Sequence, residues 1–190
     1  DGGTYTVAQL LAQSSTRPLF AIASGGPVHY VIPDVYTGPV AYLQYQLLGT
    51  AGGDVVIGSD SNDLINLLAG DDAVNAGGGD DVIDGGTGSN FLTGGAGHDV
   101  FFVDGRSGQP TWTTITDWQA GEQLSIWGWQ VGVSHLTWVA SDGATGYKGV
   151  TLHCDLDGNG VIDTSITWTG LTQAALPTPT LALATSWAER

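Results

Sequence analysis

The sequence predicts an all-β solenoid, and three observations carry that prediction. Residues 49–102 divide without remainder into six nine-residue units: GTAGGDVVI, GSDSNDLIN, LLAGDDAVN, AGGGDDVID, GGTGSNFLT and GGAGHDVFF. The sixth place of successive units reads Asp54, Asp63, Asp72, Asp81, Asn90 and Asp99. The eighth place reads Val56, Ile65, Val74, Ile83, Leu92 and Phe101, so it is always large and apolar. A fixed period with one acidic and one hydrophobic column means that every unit makes the same turn and the same short strand.

The letters of the unit explain its shape. The fourth place is Gly52, Gly70, Gly79, Gly88 and Gly97, with Ser61 the exception; glycine there allows the positive φ and close backbone approach of a tight turn. The last three residues, such as Val55, Val56 and Ile57, are too few for a helix and enough for one strand. Alternate strand side chains point to opposite faces, so the eighth-place residue turns inward while its neighbours face out. Two units make one coil, with a strand on each side and a turn at each edge. Asp54, Asp72 and Asn90 then stack along one edge, and Asp63, Asp81 and Asp99 along the other.

Stacked aspartates without bases repel. Residues 49–102 hold nine Asp and no Lys or Arg, and like charges at coil spacing destabilise unless a cation lies between them. Carboxylates, together with the carbonyls of the Gly-rich turns, are hard oxygen ligands that suit Ca²⁺ at six to eight coordination. The sixth-place side chains and fourth-place glycines are therefore the candidate ligands, with about four sites expected on the two edges. A disordered Gly/Asp linker is the alternative, and the unbroken apolar column argues against it.

The pattern resembles the nonapeptide G-G-x-G-x-D-x-U-x of the repeats-in-toxin (RTX) family. Residues 85–93 and 94–102 match best, whereas 67–75 lacks the leading glycines. The resemblance implies a parallel β-roll with Ca²⁺ held between turns, export of the unfolded chain by a type I secretion apparatus, and an extracellular or cell-surface location. Asn90 stands where the family has an acid, so the last site on its edge is expected to be the weaker one.

Composition bounds the partners. The chain has 190 residues, fitting one domain, and a net charge of −15 with four basic residues. That charge argues against nucleic acid or an anionic membrane surface. No apolar run approaches the ~18 residues of a membrane span, and nothing at the start reads as a signal peptide. Without Met, the chain reads as a fragment or a processed piece. The lone Cys154 excludes an internal disulfide, leaving packing and metal as the stabilisers.

Residues 1–48 are expected to form an N-terminal cap over the first coil, with a short helix at 6–13 and strands at 19–24, 28–32 and 40–48. Tyr30, Tyr36, Tyr42 and Tyr45 mark the place for a separate ligand site there, though strand tyrosines more often pack half-buried. Residues 103–190 are expected to form a Trp-rich antiparallel cap. Strands at 111–118 and 123–129 flank the turn Gln119-Ala120-Gly121-Glu122, and further strands lie at 136–140, 149–153 and 164–169. The phrase ITDWQAGEQLSIWG is similar to the segment that follows the repeats in RTX proteins and closes the roll. In that family the secretion signal lies at the far C-terminus, here the tail from Leu171.

A second motif is DLDGNGVID at 155–163. Acids and Asn at alternate places with Gly at the sixth match the first part of an EF-hand loop, but the twelfth place is Ile166 and β patterns flank both sides. It is either a Ca²⁺-binding hairpin loop, with Asp155, Asp157, Asn159, Asp163 and the Val161 carbonyl as ligands, or a plain turn built on Asp-Gly and Asn-Gly. All seven Trp fall after residue 110. They build the core of the cap or, through Trp127 and Trp129 on one strand face, an aromatic platform for sugar rings. No zinc helix, nucleophile elbow or phosphate loop with its Lys is present, so no catalytic residue is assigned. The sequence thus reads as a calcium-binding module that folds on meeting Ca²⁺ outside the cell, as part of a larger protein. The alternatives are a polysaccharide-binding or adhesive module, and the accessory domain of a secreted hydrolase.

Overall fold

In the computed structural model the described residues are 29–30, 45–176 and 182–183. The expected helix at 6–13, the strand at 19–24, most of 28–32 and 40–48, and most of the tail after 176 lie outside them. Among the described residues all regular structure is strand. In chain order these are β1 (His29–Tyr30), β2 (Tyr45–Leu48), β3 (Val55–Ile57), β4 (Asp63–Asn66), β5 (Ala73–Gly78), β6 (Val82–Asp84) and β7 (Phe91–Ala96). There follow β8 (Val100–Asp104), β9 (Thr111–Ile115), β10 (Gln123–Trp127), β11 (His135–Asp142), β12 (Gly149–Asp155), β13 (Thr164–Thr169) and β14 (Ala182–Leu183).

Alternate nonapeptide strands join opposite sheets. One sheet runs β1-β2-β4-β6-β8-β10-β14 and the other β11-β12-β13-β9-β7-β5-β3. Val55 pairs with Ala73, Leu64 with Val82 and Val74 with Leu92, all in parallel register. One coil is therefore two units, and the eighth-place residues meet between the sheets. Val56, Ile65, Val74, Ile83, Leu92 and Phe101 are at most 4% exposed. Leu67 and Ala76, where the repeat would have its first glycine, also turn into this core. The all-β parallel roll expected from the repeats is the fold observed.

Parallel stacking continues past both ends of residues 49–102. β2 pairs in parallel with β4, β9 with β7, and β10 with β8. β13 then lies parallel on β9, and β14 on β10. β9 and β10 thus form no hairpin with each other, because residues 116–122 carry the chain around the edge of the roll to the opposite sheet. Antiparallel pairing among the described strands is confined to β1–β2 and to β11, β12 and β13. The tryptophans tie this antiparallel trio to the roll. Trp168 stacks on Trp138 at 5.6 Å and meets Trp118 edge-on at 5.9 Å, and Trp118 packs on Phe101 at 5.8 Å. Such ring pairs add about 1 kcal/mol each to the burial of the rings themselves.

Turn chemistry follows the glycines, with one exception. Gly77, Gly86 and Gly95 hold the second place at positive φ. In the third unit that place is Leu68, at φ 67, a region costing an L-residue about 1–2 kcal/mol.

Candidate metal centre

The sixth-place column is as buried as the hydrophobic one. Asp54, Asp63, Asp72, Asp81, Asn90 and Asp99 are at most 2% exposed. The backbone places them there: Asp72, Asp81, Asn90 and Asp99 each accept a hydrogen bond from the amide one coil back, and Asp54 and Asp63, first in their columns, accept from the amides of Thr50 and Ser59. The Asp54 N–H donates to Asp72 Oδ1 at 2.7 Å, Asp63 to Asp81 Oδ1 at 2.8 Å, and Asp81 to Asp99 Oδ1 at 2.9 Å. On the other edge the Asp72 N–H donates to Asn90 Oδ1 at 2.9 Å.

These bonds leave one oxygen of several carboxylates over. Asp54 Oδ1, Asp72 Oδ2, Asp81 Oδ2 and Asp99 Oδ2 are buried with no hydrogen-bond partner. A buried acceptor without a partner costs about 1–3 kcal/mol, and more when charged. Asp63 differs because Ser59 satisfies it through both its amide and its hydroxyl. Asn90 differs too, for its Nδ2 donates to the Gly85 carbonyl at 2.8 Å.

The electrostatics agree with the geometry. Burial pushes the carboxyls of Asp63, Asp72 and Asp99 up to about 6. Asp81 rises to about 8, first through burial and then through its neighbours Asp63, Asp99 and Asp80. Strands lie about 4.8 Å apart, so successive acids in one column repel by on the order of 3 kcal/mol per pair at an effective dielectric near 20. Unpaired oxygens in rows, with no nitrogen or sulfur ligand among them, fit a hard divalent cation of Ca²⁺ type.

Fourth-place carbonyls form parallel rows. Gly70, Gly79, Gly88 and Gly97 take φ values of +131°, +108°, +122° and +137°. A Cβ added at Gly88 would collide with the Gly70 carbonyl oxygen, and one at Gly97 with that of Gly79. Gly70 approaches Gly52 in the same way. The glycines are thus required both by φ and by the approach of successive turns.

Two features escaped the sequence reading. Fifth-place side chains rivet neighbouring turns, with Asn62 Oδ1, Asp71 Oδ1 and Asp80 Oδ1 accepting from the amides of Asp80, Ser89 and His98 at 2.8–2.9 Å. The second is Glu122, 6% exposed, whose Oε2 accepts from the Gln119 amide at 2.8 Å while Oε1 has no partner. Burial, then the charges of Asp99 and Asp117, push it up to about 8. The column of unpartnered acids in the sequence was the available signal for such a residue, but Glu122 lies outside the nine-residue period.

The loop at 155–163 joins β12 to β13. It gathers carboxylate oxygens of Asp155, Asp157 and Asp163 within 4.8 Å of one another. Asp155 accepts from the amides of Gly158, Asn159 and Gly160, and Asp163 Oδ2 from Leu156 N at 2.6 Å. Asn159 turns its Nδ2 to Asp157 and its Oδ1 to the Val161 amide. Val161 is 58% exposed at the loop tip.

Trp127 and Trp129 do not share an open face. Trp127 is 4% exposed, with Phe102 on one side and the Arg106 guanidinium 4.9 Å from its ring centroid. Trp129 is half-buried against the core. Both border a cleft of about 510 Å³ together with Arg106, Gln130, Asp157 and Asp163. Cys154 is fully buried and its thiol is pushed up to about 12, first by desolvation and then by Asp163; it is a packing residue without nucleophilic character.

A parallel β-roll whose two edges carry buried rows of hard oxygen atoms defines a cation-binding repeat protein. The family model described as the RTX calcium-binding nonapeptide repeat, in four copies, matches residues 48–83 and 75–105. Residues 48–105 thus carry RTX calcium-binding nonapeptide repeats, and these repeats bind Ca²⁺. No curated protein matches the sequence. Among solved structures, the AlgE6R3 subunit of the Azotobacter vinelandii mannuronan C5-epimerase is similar at 21% identity and a TM-score of 0.48, over 82% of this chain and 91% of that one.

Proposed function

We propose that this chain is the calcium-triggered folding part of a larger extracellular protein. One observation carries the reading: buried carboxylate oxygens without partners among the described residues recur along both edges of a stretch that contains no Lys or Arg. Where free calcium is low, repulsion along the columns keeps the chain open and competent for export by a type I apparatus. At the roughly millimolar calcium outside a cell, even weak extracellular modules fill. A ligand that binds only the folded state then stabilises it in proportion to RT ln(1 + [L]/Kd). The sixth-place acids Asp54, Asp63, Asp72, Asp81 and Asp99, with the carbonyls of Gly52, Gly70, Gly79, Gly88 and Gly97, are the ligands we assign to the roll; Asn90 makes its site the weakest. The loop at 155–163 is a further calcium site in this reading, held by Asp155, Asp157 and Asp163. Residues 1–48 and 103–190 flank the nonapeptides as closing segments. The sugar-platform alternative loses its basis with the burial of Trp127.

The test is far-UV circular dichroism and Trp fluorescence of the chelated protein during addition of CaCl₂, with MgCl₂ as control. A cooperative gain of β signal with calcium, absent with magnesium, is expected. A chain already fully folded in chelator and unchanged by calcium would refute the switch.

A further inference from the structure

The calcium reading of the roll is here carried one coil past the repeats: we propose that the edge bearing Asp63, Asp81 and Asp99 holds a divalent-cation position between Asp99 and Glu122. The backbone places Glu122 in the column. The Val100 amide donates to the Asp81 carbonyl at 2.8 Å, and the Gln123 amide donates to the Asp99 carbonyl at 2.9 Å. Gln123 pairs with Val100 as Val100 pairs with Val82, so Glu122 stands on Asp99 as Asp99 stands on Asp81. The intervening loops lengthen this coil, which is why no nine-residue pattern reaches it.

The side chains carry the rest. Glu122 is 6% exposed and Asp99 is fully buried, and each keeps one oxygen, Oε1 and Oδ2, without a partner. Neither makes an ion pair among the described residues. The second oxygens are spoken for, since Gln119 N–H donates to Glu122 Oε2 and Asp81 N–H to Asp99 Oδ1, so both unpaired atoms are left for an outside ligand. A third acid stands farther out: Asp117 is taken up by the amides of Gly94 and Gly95 at 3.0 and 2.8 Å, and the three carboxylates do not gather within 4.8 Å of one another. Two buried carboxyl oxygens left without a partner, with no cationic side chain bonded to either among the described residues, are hard donors that a divalent ion would take up.

Calcium stoichiometry in the parent chain and in Glu122→Gln, measured by equilibrium dialysis and calorimetry, decides the matter. The expected result is one calcium fewer per chain in the variant, with the cooperative folding response of the repeats retained. An equal stoichiometry and an unchanged isotherm would overturn the proposal while leaving the roll's calcium binding intact. A parent chain that binds no calcium at all would refute the broader function, and this site with it. Should E122Q fail to fold, Glu122→Asp keeps the charge and gives up one methylene. A weakened last binding step in that variant supports the site, and an unaltered one overturns it.

Discussion

Replacing Asp81 with Asn should make the roll less dependent on calcium rather than simply weaker. Asp81 lies between Asp63 and Asp99 in its column and is pushed above both of them, to about 8 against an ordinary 3.8. Sustaining that carboxyl in the metal-free fold at pH 7 costs on the order of 4 kcal/mol as an upper limit, one pKa unit being about 1.4 kcal/mol. An Asn retains Oδ1 to accept from the Asp63 amide and replaces the partnerless Oδ2 with a donor. The chain already shows that exchange working at Asn90, whose Nδ2 reaches the carbonyl five residues back. In chelator at pH 7, D81N is therefore expected to be more stable than the parent, by up to that amount in urea denaturation followed by circular dichroism. In millimolar calcium the order reverses, because the variant loses an anionic ligand shared by the coils above and below. A variant no more stable than the parent in chelator would refute the idea that column repulsion and desolvation hold the metal-free chain open.

Acid should substitute partly for calcium. The folded pKa values of Asp63, Asp72, Asp99 and Asp81 lie above the unfolded one, so the folded state holds more protons. Its stability is then full below pH ~4 and lost as the pH rises through about 6 to 8; circular dichroism in chelator should show more β structure at pH 5 than at pH 8. Leu68→Gly should raise stability by about 1 kcal/mol, since it relieves a left-handed Leu that is 45% exposed and has little packing to lose; a drop in the urea midpoint would count against the strain. Gly97→Ala should lose about 3 kcal/mol or more, through its φ and its collision with the Gly79 carbonyl. Gly146→Ala, at φ +89 with open space around it, should lose only about 1 kcal/mol, and equal losses in thermal melts would refute the close-approach argument.

What the sequence made legible is what repeats. Six recurrences of one apolar residue and one Asp, replaced once by Asn90, at fixed places determine strand, edge and core for residues 49–102, and each eighth-place residue is where the period puts it. Beyond residue 102 the period fails, and with it the means of choosing partners. The strands expected at 111–118 and 123–129 read as neighbours because they are close in sequence, yet the pairing of β9 and β10 is decided by which sheet of the roll has an open edge for each. Glu122 was missed for the same reason: it sits in the column by register and not by spacing. Trp127 was placed on a strand correctly, but which face of that strand meets Phe102 and Arg106 depends on side chains from other elements.

Sharing of the acids between coils has a consequence for how the roll responds to its ion. Asp81 accepts from the amide of the coil before it and donates to the carboxylate of the coil after it, so ordering any one level prepares the next. Each edge behaves as a one-dimensional lattice with nearest-neighbour coupling. The steepness of its filling grows with the unbroken run of anionic levels. The edge bearing Asp63, Asp81, Asp99 and Glu122 is the longer run, and that bearing Asp54 and Asp72 is interrupted at Asn90. The two sides should therefore fill in sequence, the long edge sharply and the short one gradually, giving a biphasic titration from a single domain.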